Sequence, residues 1–92
     1  MTPEAKRAFL DHAFKGAESL KKEFEGNRGY SGAYARAAAV VVVFVGGKLS
    51  EFDEITPQGV EKVLDETRID NVTIVDHARN VFTEAFKTLS CH

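Results

Sequence analysis

The sequence predicts an all-α fold: a compact bundle of four helices, in a single domain over residues 1–92. Two stretches, one near each end, repeat apolar residues at spacings of three and four. Capping residues and glycine pairs punctuate the chain between them. No segment alternates apolar and polar residues in the way a half-buried strand requires.

Helix one starts at Thr2-Pro3-Glu4. Thr2 can cap the first backbone N–H groups, Pro3 suits the first helical position, and Glu4 sits well against the positive end of the helix dipole. Phe9, Leu10, Ala13, Phe14, Ala17, Leu20 and Phe24 then form one apolar face, and Gly26 and Gly29 are expected to end the helix near Glu25.

Ser31 to Val45 reads two ways. Its alanines favour helix, while Val40 to Val45 has the β-branched content of a buried strand. Helix is preferred, because Ser31 can cap it, Gly46-Gly47 can stop it, and a lone strand would have no partner. Such a helix is apolar nearly all round from Ala37 onward, so it should be the central element. Ser50 before Glu51 and Asp53 suggests a third helix from Glu51 to about Glu66, kinked or broken at Pro57, with Phe52, Ile55, Val60, Val63 and Leu64 facing the core. The last helix should start at Asp70 as N-cap, with Ile69 and Ile74 as a hydrophobic staple. An apolar stripe then runs from Ile74 to Leu89.

The composition, 43% apolar and 28% charged, is that of an ordinary globular chain. The single cysteine, Cys91, allows no intrachain disulfide and points to a reducing, cytoplasmic setting. The charged start of the chain does not read as a secretion signal, and the apolar run from Ala37 to Val45 is too short to span a bilayer. Net charge is −2, with seven Lys or Arg against five Asp or Glu in residues 1–36, and five against nine in residues 37–92. No basic stripe with interleaved aromatics offers itself to a phosphate backbone, so nucleic acid is not an expected partner.

No catalytic constellation emerges. Cys91 at the chain end lacks a positioned base, and Ser31, Ser50 and Thr56 read better as helix starts than as nucleophiles. Gly46-Gly47 lacks the Lys-Ser or Lys-Thr of a phosphate loop, and residues 65–76 lack the acidic spacing of an EF-hand. Two Asp-His-Ala triplets, at Asp11 and Asp76, use residues common in metal sites. Antiparallel packing should hold His12 and His77 at opposite ends of the bundle, where only a symmetric dimer could join them.

The candidate sites are therefore binding sites. Glu61, Asp65 and Glu66 form the centre of an acidic surface suited to a basic partner, or serve only as a solvated helix face. Tyr30 and Tyr34, near Arg28 and Arg36, have the residue types of a recognition patch. Glu51, Asp53 and Glu54 are candidate metal ligands, although the positive end of a helix starting at Glu51 would oppose a cation.

The order of features from 31 to 86 resembles the tellurite-resistance TerB-like helical domains. Ala35-Arg36-Ala37-Ala38-Ala39-Val40 stands for their alanine-rich helix, and Gly46-Gly47-Lys48-Leu49-Ser50-Glu51 for the break and acidic restart. The match covers about one repeat of a family that usually has two. In the family an Asp commonly precedes the glycine of the break, at a junction associated with metal binding; Gly46 stands there in this chain, and only Glu51 matches the acidic restart. The resemblance implies a stress-response or phage-conflict interaction domain with no enzymatic role. The combined expectation is a protein-binding module with no cofactor, acting on a protein partner or as a homodimer; an inhibitor carried by a phage or mobile element fits the same features. The alternative is a TerB-like metal-binding or signalling domain.

Overall fold

A computed structural model describes residues 1–26 and 29–90 of the chain, excluding the side chains of Tyr30, Ser31 and Ser90. Arg28, Cys91 and His92, and the side chain of Tyr30, thus lie outside the described residues. Four helices follow in order: α1 (Pro3–Gly26), α2 (Tyr30–Leu49), α3 (Pro57–Glu66) and α4 (Val72–Ser90). Among the described residues there is no strand. The protein is an all-α bundle.

α1 and α2 run antiparallel. Gly46 lies against the Phe14 ring towards one end of the pair, and Arg36 sits over the Phe24 ring towards the other. α4 also runs antiparallel to α1, because Gly16 meets Val81 while His12 meets Thr88. α3 is a short brace across α2 and α4. The core between them is small and aliphatic around two aromatic pairs. Phe9, Ala13, Val42, Val45, Leu49, Ala78, Phe82 and Ala85 are buried, and the Phe9 ring lies 6.0 Å from Phe82 and 4.6 Å from Phe86.

Local chemistry sets the helix ends, and it departs from the sequence reading at four of them. α1 begins as expected, with the Ala5 N–H donating to Thr2 Oγ1 at 3.1 Å. α2 starts one residue before Ser31, with Gly29 as its N-cap, and it does not stop at Gly46-Gly47. Among the described residues neither glycine has a positive φ. A Cβ on Gly46 would lie 2.7 Å from Phe14 Cε1, so glycine serves there for close helix packing rather than for a turn.

Ser50, expected to open the next helix, closes α2 instead. Its hydroxyl donates to the Gly47 carbonyl at 2.6 Å, and its N–H donates to the Gly46 carbonyl. Residues 51–56 are consequently non-helical and are anchored by the buried Ile55. Thr56 is the true N-cap of α3, accepting from the Gly59 N–H at 3.0 Å, and Pro57 is the first helical residue rather than a kink. α3 ends at Glu66, and Arg68 beyond it has φ 57°, the left-handed conformation that glycine usually supplies after a helix.

α4 starts one residue later than predicted. Asn71, not Asp70, caps it, with Oδ1 accepting from the Ile74 N–H at 3.1 Å. Asn71→Ala is expected to cost about 1 kcal/mol in urea unfolding, against a few tenths for Asp70→Ala. The reverse ranking would return the cap to Asp70.

Two glycines make a second paired test. A Cβ at Gly16 would sit 2.6 Å from Val81 Cγ1, a stiff β-branched neighbour, whereas one at Gly47 meets nothing within 4 Å. Gly47→Ala should therefore raise stability by about 0.5–1 kcal/mol through helix propensity. Gly16→Ala should lower it, because an overpacking cost of about 1–3 kcal/mol exceeds the same gain. Thermal melts of both variants read the sign directly.

Candidate interaction surface

α3 carries the acidic residues, but it does not present them as one field. Arg79 of α4 takes Glu61 in a two-point grip, Nε to Oε2 at 2.8 Å and Nη2 to Oε1 at 3.0 Å, and also holds Asp76 Oδ1 at 2.5 Å. The hydrogen bond to Glu61, more than any other cause, raises the Arg79 pKa above its ordinary value. Glu61 is thus already paired in a partly exposed strut between α3 and α4, and Asp76 is held within α4 by the same guanidinium. Asp65 and Glu66 remain exposed, in an open groove that also contains Lys62 and Arg68. The result is a mixed-charge surface.

Glu51, Asp53 and Glu54 are exposed in the 51–56 connection, not at a helix start. Glu54 pairs with the Met1 ammonium. Among the described residues no three His, Cys, Asp or Glu side chains gather around a point that could hold a metal ion. Ca²⁺ or Zn²⁺ is expected to leave the melting temperature unchanged, and a metal-dependent rise would reinstate these carboxylates as ligands.

His12 and His77 line one groove between α1 and α4. The antiparallel register separates them along it, however: His12 Nδ1 faces Thr88 Oγ1 at 3.4 Å, while Gly16 already lies opposite Val81. Tyr34 is half-buried on α2.

Three exposed large apolar side chains lie together on α2, where the sequence reading placed the centre of the core. Val42 and Val45 are fully buried, but Val40, Val43 and Phe44 are 65%, 54% and 52% exposed. Ala33 and Gly47 are exposed on the same side of the helix. At the N-terminal half of this face a groove of about 500 Å³ opens, with Ala33, Ala37 and Val40 as its floor, Phe24 at one wall, and Ile69 and Ile74 at the other. Val40 joins groove and stripe into one apolar band. Its two cations, Arg36 and Lys48, rest over rings, with the guanidinium carbon 5.3 Å from the Phe24 centroid and the ammonium 5.7 Å from that of Phe44.

One signal in the sequence could have located this face. A helix that is apolar all round needs neighbours on every side, and among the described residues there are three other helices, one of them 10 residues long. Part of α2 had to remain uncovered. By length and composition its segment Gly32–Leu49, with mean hydropathy 1.4, would also suffice to cross a membrane, and half of it is buried in the bundle. No family model, curated protein or solved structure matches the chain, so its function is argued from its own residues.

Proposed function

We propose that the protein is an interaction module that docks a protein partner on the exposed face of α2. The observation that carries this is the contiguous apolar band of Val40, Val43 and Phe44 on a helix whose opposite face is core. Large exposed apolar patches on small proteins mark binding surfaces, because leaving them in water forgoes roughly 25 cal/mol per Å². A binding role also suits a chain whose titratable groups, among the described residues, are nearly all exposed or engaged in surface ion pairs.

Two other surfaces are weaker supports for docking. On α3, Glu61 is already tied to Arg79, and Asp65 and Glu66 are interleaved with cations. Insertion of α2 in a bilayer would require stripping it from α1 and exposing Phe9, Ala13 and Ala17.

The reading is tested by affinity capture from a lysate of the encoding organism, comparing three forms of the chain. Val43→Asp with Phe44→Asp should abolish capture while leaving the circular dichroism spectrum intact. Reversal of Glu61, Asp65 and Glu66 to Lys should leave capture in place. The opposite pattern would move the docking site to α3.

A further inference from the structure

We infer that the occupant of the α2 face is an acidic amphipathic helix, an apolar ridge seated along Ala33, Val40 and Phe44 with carboxylates at its edges meeting Arg36 and Lys48. This rests on the docking reading above and names the partner's chemistry. α2 contains no Asp or Glu from end to end. Arg36 and Lys48 have no carboxylate within ion-pair distance among the described residues; each lies over an aromatic ring instead. Twelve residues apart, they stand about 18 Å apart along the axis and about 120° apart around it. They therefore stand on opposite sides of the Ala33–Val40–Phe44 ridge, one near each end, with Arg36 in line with Val43. A helix laid along the band would bring its own edges over both cations, and carboxylates there would complete two ion pairs at the rim of an apolar contact.

Shape and charge separate this occupant from two others. A second copy pairing α2 with α2 in either two-fold sense would set two cations at each end of the helix pair, with no carboxylate from α2 itself to meet them. An anionic membrane would meet the two cations, but a bilayer surface does not fill a 500 Å³ groove walled by Phe24, Ile69 and Ile74. The side-chain ridge of a helix does.

The test is fluorescence anisotropy with the full chain and two synthetic amphipathic helices of roughly 20 residues. They share one Leu/Phe stripe and differ only in carrying Glu or Lys at its edges. The Glu peptide should bind about tenfold tighter than the Lys peptide, with the advantage shrinking as salt rises. Arg36→Glu with Lys48→Glu, both at exposed positions, should invert that order. Equal binding of the two peptides overturns the acidic partner. If Val43→Asp with Phe44→Asp still abolishes lysate capture in that case, the docking surface itself stands. Failure of both peptides also overturns it, in favour of a lipid surface if the chain sediments with phosphatidylserine vesicles, or of a second copy if light scattering shows a dimer that Phe44→Asp splits. Lysate capture that ignores Val43→Asp and Phe44→Asp removes the docking surface, whatever the peptides do.

Discussion

Val45→Asp is expected to unfold the protein, and Val43→Asp to leave it folded. Val45 is 0% exposed, and aspartate there would place a carboxylate among buried apolar side chains. The buried charge costs about 3–5 kcal/mol, and the lost valine burial adds roughly 1.5–3 kcal/mol. Their sum rivals the whole stability of a chain this size, about 5–14 kcal/mol. Val43 is 54% exposed, so aspartate there pays little beyond a few tenths in helix propensity. The comparison also decides between the two readings of this segment. In a strand, residues 43 and 45 share a face and the two substitutions would behave alike; in a helix, two residues apart is about 200° and they diverge. Far-ultraviolet circular dichroism with urea titration reads the result, and equal damage from both variants would refute helix α2.

Phe9→Ala is expected to cost about 3–5 kcal/mol, measured as a fall in the urea midpoint at constant slope. Phe9 is 0% exposed and joins α1 to α4 through its rings at Phe82 and Phe86, so truncation removes both the burial and two aromatic contacts. Phe14 on the same helix is the internal comparison. It is 36% exposed, lies over Gly46, and can turn into water when its site changes. Its replacement by alanine should cost roughly 1 kcal/mol, since only part of its surface is withdrawn from solvent. Similar costs at the two positions would mean that the α1–α4 core is not built as described.

Phe9 and Phe14 also mark how far residue pattern reaches. Both fall on the apolar stripe of α1, because periodicity locates a face to within about a third of the helix circumference and does not rank residues inside it. The ranking comes from the neighbours: α4 covers Phe9, whereas Phe14 lies over Gly46 and keeps part of its ring in water. The helix ends behave in the same way. Thr2, and Thr56 with Pro57, are legible as caps because their signal is local and uncontested. Ser50 is ambiguous locally because a serine hydroxyl can accept from the next helix or donate to the last one, and here the Gly47 carbonyl takes it. At 70–71 two capping residues stand side by side, and the backbone geometry selects Asn71.

The candidate sites were legible as residue types, not as arrangements. Glu61, Asp65 and Glu66 are one acidic cluster by spacing, but the Arg79 side chain that takes Glu61 comes from 18 positions away. No local pattern announces that pairing. The apolar character of α2 was visible throughout, yet its meaning depends on how many helices reach it.

The sequence by itself determined the fold class, the number of helices and which face of α1 and α4 turns inward, since these follow from short-range propensity and from period. Tertiary structure alone decided which side of α2 is core and which is surface. A helix apolar on all sides encodes no preference of its own, and three neighbours cover only the side against which they pack.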